Sequence, residues 1–368
     1  MIRKYVIVIL CFFLYFPLSL RSQEIHKTGN FSVIGYYAGN AEEASEYPIE
    51  YLTHIIYSFC HVKNGLLSVD NKNDSATIRS LLALKQRNAS LKVILSVGGW
   101  GGCMPCSEVF STKNGRVNFS KSVKHLLEYF QADGIDLDWE YPAISGYPGH
   151  LFQKDDKQNF TLLLEALRNQ LGKKYEISFA AGGFSNFLDS SVEWDKITPL
   201  VDRVNLMSYD LVNGFSVVSG HHTPLYATPW QKESTDYAVR YLYRIGFPMN
   251  KLVIGAAFYA RVFDIFKNEN NGLYMPCKFN HGISYKDFDT TKLKKEGFLY
   301  YWDSIAEAPY MYSKEKKQLI SYDNEHSIYL KTKYALNQHL NGIMFWQLGD
   351  DKSTNGLLSV IHKTLKEL

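Results

Sequence analysis

The sequence has no apolar run long enough to cross a bilayer, little excess of either charge, and only five cysteines in 368 residues. A spanning helix needs about 20 apolar residues, whereas the longest candidate, Tyr5 to Phe16, has 12. Lys and Arg number 40 against 37 Asp and Glu, which excludes the domain-scale basic surplus of a nucleic-acid binder. No Cys pair besides Cys103 and Cys106 and no His-Glu-x-x-His stretch occurs, so no metal site is expected. The Gly-rich stretch Gly98-Gly99-Trp100-Gly101-Gly102 lacks the Lys-Ser/Thr ending and the spacing of a phosphate cradle. What is abundant is apolar and aromatic mass, at 46% and 15%. That excludes a disordered chain and supplies a large core.

Arg3 and Lys4, the apolar run, Pro17 and the small or polar residues Ser19 to Gln23 follow the three-part plan of a secretory signal. The expected division is a signal at 1–22 and a mature chain at 23–368, exported to the extracellular space or periplasm, free of the membrane and monomeric. Losing 1–22 removes Arg3, Lys4 and Arg21 and no acid, leaving 37 basic against 37 acidic residues. Cys60, Cys103, Cys106 and Cys277 remain. In an exported chain Cys103 and Cys106 read as a local disulfide or as buried loop thiols, with the pairing of all four left open. His221 and His222 are adjacent, point to opposite sides of an extended segment and read as loop histidines rather than ligands of one metal.

Eight short β-branched or aromatic runs begin near Phe31, Thr53, Leu91, Gly134, Tyr175, Arg203, Leu252 and Gly342. Most are followed by helical periodicity, as in Phe119, Val123, Leu126, Leu127, Phe130 and in Phe160, Leu163, Leu164, Leu167, Leu171. Strand and helix in alternation predict an α/β fold, a closed (β/α)8 TIM barrel. The last strand-to-strand step, from Leu252 to Gly342, is 90 residues against 22 to 49 for the others. The surplus predicts a small α+β insertion between strand 7 and helix 7, placed at about 264–323.

The chemistry concentrates in Asp133-Gly-Ile-Asp136-Leu-Asp138-Trp-Glu140-Tyr-Pro142. Side chains alternate along a strand, so Asp136, Asp138 and Glu140 share one face while Ile135, Leu137 and Trp139 share the other. Three carboxyls then climb the barrel interior toward its C-terminal end, where barrel enzymes keep their chemistry. At matching positions of neighbouring strands stand Ser96, Gly98 and Tyr209 rather than Arg or Lys. Three close carboxylates do not all ionise cheaply, so at least one holds a proton near neutrality. A Glu140 kept protonated is what a general acid requires.

With these residues in view the chain resembles glycoside hydrolase family 18, chitinase-like, in the branch carrying an α+β insertion. The matching elements are Asp133 to Glu140 as Asp-x-x-Asp-x-Asp-x-Glu, Ser96-Val-Gly98-Gly99, Met207-Ser-Tyr209-Asp210, and Trp346 at the end of the eighth strand. The resemblance implies a retaining, substrate-assisted hydrolysis of β-1,4-linked N-acetylglucosamine polymers with no cofactor. Glu140 would be the acid and base, and Asp138 would orient the 2-acetamido group while sharing a proton with Asp136. Tyr209 would bind the acetamido carbonyl, and Trp346 would floor the reacting sugar. Chitin or chitooligosaccharides would be the partner. An endo-β-N-acetylglucosaminidase acting on N-glycan cores would use the same acids, but the insertion favours a deep-walled cleft and hence chitin. A sugar-binding lectin on this barrel typically loses the acid that is present here as Glu140.

Most of the 54 aromatic residues must fill the core. Those expected at strand ends, facing sugar, are Tyr36, Phe59, Trp100, Tyr209, Tyr259 and Trp346. Trp230 sits in the long sixth-to-seventh loop, as platform or core. Asp210 and Arg261 are candidates to bind sugar hydroxyls or each other.

Overall fold

The computed structural model describes residues 31–367, so the export pattern at 1–22 lies outside the described residues. Each apolar run becomes a strand starting within one residue of its expected position. In chain order they are β1 Ser32–Tyr37, β2 His54–Lys63 with its short hairpin partner β3 Leu66–Ser68, β4 Lys92–Gly98, β5 Gly134–Asp138, β6 Glu176–Gly182, β7 Arg203–Met207 and β8 Leu252–Ala257. An inserted sheet follows, made of β9 Tyr259–Ile265, β10 Cys277–Ser284, β11 Leu299–Asp303, β12 Ala308–Ser313 and β13 Gln318–Ser321. The last barrel strand is β14 Gly342–Trp346. Parallel pairing runs β1-β14-β8-β7-β6-β5-β4-β2, and β1 also pairs with β2, which closes the barrel.

The helical stripes pack as their periods require. In the helix Asp156–Leu171 the residues Phe160, Leu163, Leu164, Leu167 and Leu171 are buried, and in Lys113–Phe130 so are Phe119, Val123, Leu127 and Phe130. Trp139 joins them, edge-on to Phe110 and Phe160, so the apolar face of the acid strand does lie under the helices. One step departs from strict alternation. The connection from β1 to β2, residues 38–53, holds two 3-10 turns, Glu43–Glu46 and Ile49–Tyr51, and no α-helix. It is short, and Pro48 stands between the turns without an amide hydrogen to donate.

The inserted sheet is antiparallel, in the order β10-β9-β13-β12-β11, and starts at Tyr259, directly after β8. Tyr259 and Arg261 therefore belong to its first strand. At its return, Asp323 and Lys331 are both fully buried with Lys331 Nζ 2.7 Å from Asp323 Oδ2. Asp323 also accepts from Ala257 N and Ser327 Oγ, and Lys331 donates to Thr223 Oγ1. The pair thus joins the end of β8, the loop after β7 and the helix Glu325–Asn337. Removing one partner strands a buried charge, so Lys331→Met should destabilise the fold by about 3–5 kcal/mol. Denaturant unfolding measures this, and the double replacement with Asp323→Leu should recover part of the loss.

Candidate active site

The interior of β5 carries the acid row because Gly134, Asp136 and Asp138 face inward. Asp136 is fully buried in a ring of donors from four other strands. Its Oδ1 accepts from Ser178 Oγ at 2.6 Å and Asn205 Nδ2 at 3.1 Å. Its Oδ2 accepts from Ser96 Oγ at 2.9 Å and Tyr36 Oη at 3.1 Å. Burial pushes this carboxyl up and the four hydrogen bonds pull against it. Burial outweighs these bonds, so Asp136 stays above the usual carboxylate range.

Asp138, one step higher and 3% exposed, has no such ring: its Oδ1 is buried without a hydrogen-bond partner in the protein. Burial, then the charges of Glu140 and Asp136, hold it well above the usual carboxylate range. Burial therefore raises all three carboxyls of the row. Glu140 lies two residues past the end of β5, at the mouth and partly exposed. Its carboxyl is pushed up to about 7, chiefly by burial, with Asp210 adding to the rise.

Glycine makes room for this crowding. Gly98 has φ +112°, and a Cβ there would come within 2.0 Å of the Asp138 carbonyl oxygen. That same oxygen accepts from Gly99 N at 2.8 Å. A Cβ on Gly99, at φ +79°, would strike the Phe59 ring. The expectation that small residues leave space beside the row has this physical basis.

Around the mouth, Trp346 stacks on Phe59 with ring centroids 5.6 Å apart and tilts against Tyr36 at 6.0 Å. Tyr209 lies edge-on to Tyr259 at 6.2 Å, and Met207 is buried in the same interior cluster. Burial holds the Tyr209 phenol well above its ordinary value, so it stays a hydrogen-bond donor. Asp210 and Arg261 pair with each other, Nε to Oδ1 at 2.6 Å and a second guanidinium nitrogen to Oδ2 at 2.5 Å. Burial pushes the Asp210 carboxyl up, but the nearby His222 ring and Arg261 outweigh it and hold the group well below the carboxylate range. Trp100 is 47% exposed and contacts Tyr147 and Phe215, themselves exposed, which extends the aromatic surface beyond the row.

Two expectations change. Trp230 is 69% exposed and stacks on Tyr274 of the inserted sheet, which removes its core alternative and leaves it without a ring contact to the acid row or the strand-end aromatics. Asp133 lies at the opposite end of β5, where its carboxylate accepts from Lys85 Nζ and Val93 N and secures the strand entry. His221 and His222 do lie in a loop, and both are fully buried there. His221 meets Asp303, while His222 Nδ1 stands 3.6 Å from Asp210 Oδ1 with its ring 5.2 Å from Tyr259. Tyr141, Ser178, Asn205, Phe215 and His222 were not foreseen. Strand parity would have found Ser178 and Asn205; nothing in the sequence marked the loop residues. Cys103 and Cys106 form a disulfide, and Cys60 and Cys277 are buried thiols. Among the described residues no group of side chains could hold a metal, and no helix is long and apolar enough to cross a membrane.

The fold is a closed (β/α)8 barrel with carboxyls rising toward its C-terminal end, the end at which barrel enzymes keep their chemistry. Residues 32–351 match the glycosyl hydrolases family 18, and the chain belongs to that family. It is 34% identical over 303 residues to chitinase A1 of Niallia circulans, covering 76% of this chain but 43% of that longer protein. It is similar to a family 18 N-acetylglucosaminidase from Paenibacillus barengoltzii, at 34% identity and TM-score 0.81, covering 91% of this chain and 100% of that one. A chitinase from Bacillus thuringiensis superposes with TM-score 0.85 at 28% identity, over 92% of this chain and 70% of that one.

The row stores repulsion. A carboxyl whose folded pKa is raised costs stability once pH exceeds its unfolded value, and nothing below it. Asp138→Asn should therefore stabilise the fold at pH 8 by on the order of 1 kcal/mol, with the gain vanishing near pH 4. Thermal unfolding at the two pH values measures it.

Proposed function

We propose that the protein is a secreted chitinase that hydrolyses β-1,4-linked N-acetylglucosamine chains with retention of configuration. The observation that carries this reading is the pair formed by a protonated Glu140 at the mouth and a buried, unpartnered Asp138 oxygen behind it. Glu140 gives its proton to the glycosidic oxygen as the bond to the anomeric carbon breaks. The acetamido oxygen of the same sugar attacks that carbon from the other face and closes an oxazolinium ring. Asp138 accepts the acetamido N–H and offsets the positive charge, while the Tyr209 hydroxyl donates to the acetamido oxygen and aims it. Glu140, now a carboxylate, takes a proton from the water that reopens the ring.

Trp346 offers a flat apolar face to the reacting sugar, with Tyr36 and Phe59 fixing its plane. Trp100, Tyr147 and Phe215 supply stacking surface for a longer chain. An uncharged polymer suits a mature chain of balanced charge. The signal pattern at 1–22 and the Cys103–Cys106 disulfide support export. The Paenibacillus neighbour keeps a second reading in play, release of single N-acetylglucosamine units by the same acids.

Products separate the readings. Chitohexaose should give short oligomers, whereas monomer alone would indicate an N-acetylglucosaminidase, core cleavage of a high-mannose glycoprotein an endo-β-N-acetylglucosaminidase, and binding without cleavage a lectin. Glu140→Gln should lower kcat by at least about 10²–10⁴-fold while keeping oligosaccharide binding. Because the acid must be protonated, wild-type kcat should fall as pH rises through about 7. A thiazoline analogue of the oxazolinium should compete with substrate; failure to bind would remove the acetamido oxygen as nucleophile.

A further inference from the structure

The chain that leaves the acid row turns back on it at His150. This side chain is 7% exposed, and its ring bridges two main-chain carbonyls. Nδ1 lies 2.9 Å from the Glu140 oxygen and Nε2 lies 2.7 Å from the Cys103 oxygen. A carbonyl oxygen only accepts hydrogen bonds. A neutral imidazole carries one N–H and one lone pair, so it can satisfy one of these carbonyls and sets its lone pair against the other. The doubly protonated ring donates to both.

We propose that His150 is a positioning residue for the acid, an imidazolium clamp that ties the Glu140 main chain to the Cys103–Cys106 loop. The proposal rests on the reading of Glu140 as the acid. The ladder pairs of β5 end at Asp138, so the barrel itself does not fix the Glu140 carbonyl. The loop closes tightly over that carbonyl: a Cβ on Gly146 would come within 2.1 Å of it. On the other side of the clamp, Cys103 is held to Cys106 by the disulfide at the start of the helix Cys106–Phe110.

The same loop presents Tyr147, whose carbonyl accepts from His150 N at 2.9 Å and whose ring packs on Trp100. The clamp thus sets both the acid and one aromatic wall of the mouth. The charged groups on the packed segments are Glu140 and Asp138 in the row, Glu108 on the helix Cys106–Phe110, and Lys154, Asp155 and Asp156 where the loop ends. Asp156 is fully buried and already occupied by Ser107 Oγ and Gln153 N, which anchors the far end of the loop. The clamp is complete when the ring carries both N–H protons, and a ring with one N–H keeps only one of the two bonds.

The test combines ¹H–¹⁵N spectra of histidine-labelled protein with kinetics of variants. At about pH 5.5, where an ordinary imidazole is charged, both ring N–H protons of His150 should appear, hydrogen-bonded and slow to exchange. His150→Ala should lower kcat on chitotetraose by about tenfold, with KM changed by less than about twofold. His150→Gln, which keeps a donor amide, should recover part of the rate. A neutral single tautomer of His150 at that pH overturns the clamp. A variant that loses thermal stability but keeps wild-type kcat overturns the positioning role. If wild-type protein cleaves no N-acetylglucosamine oligomer, the enzymatic reading fails by itself, and the N–H count still decides whether the clamp exists.

Discussion

Everything about this molecule turns on three carboxyls stacked up the inside of one barrel strand. A barrel interior is a packed core, and ionised carboxylates in a core repel one another and forfeit hydration. The structure resolves the conflict by grading the environment along β5. At the lowest level Asp136 is surrounded by hydroxyl and amide donors from β1, β4, β6 and β7. One level up, Asp138 receives no donor at Oδ1. At the top, Glu140 leaves the strand for a partly exposed position at the mouth. Donors are gathered at the bottom of the row, burial dominates in the middle, and the uppermost carboxyl is the one that reaches solvent.

The inserted sheet is more than a wall beside this row. Its first strand follows β8 after one residue, so Tyr259 and Arg261 are set by the barrel strand that precedes them. Arg261 pairs with Asp210, just beyond the end of β7, and His222 backs Asp210 from the loop after β7. The pairing matters to the acid because Asp210 raises Glu140. A carboxylate near the mouth, kept ionised by a guanidinium and an imidazole, adds its negative field to the burial that raises Glu140. The buried Lys331–Asp323 pair then fixes the return of the insertion against the end of β8, holding the frame in which these side chains meet.

Much of this was legible in the sequence because it follows from periodicity. Strand positions, helix stripes, the inward parity of Asp136, Asp138 and Glu140, and the surplus length before Gly342 are all one-dimensional signals. Tertiary closure supplied the rest. The connection after β1 lacks its helix because the chain there is too short, something a count of apolar runs does not register. His221 and His222 read as loop histidines, and the sequence does not show that each is buried beside an aspartate, Asp303 and Asp210 respectively. Asp210 and Arg261, 51 residues apart, are a pair only once the insertion has folded back. The same holds for His150, whose role rests on two carbonyls that no side-chain pattern encodes.

The opposite end of the barrel shows that the lack of cations within the acid row does not follow from composition. There Glu176, the first residue of β6, meets Arg203, His54 and Lys92, each the first residue of its own strand. Burial pushes the Glu176 carboxyl up, yet His54 and Arg203 overcome it and hold the group far below the usual range. One barrel therefore contains carboxylates of both kinds, a cation-paired Glu176 at the N-terminal end and an acid row on β5 that meets no Lys or Arg among the described residues. A chain with 40 basic residues could have neutralised the acid row in the same way. Arg or Lys at Ser96 or Ser178 would favour ionised Asp136 and Asp138 and relieve their repulsion. Serine at those places supplies donors to the deepest carboxylate without adding a cation to the row.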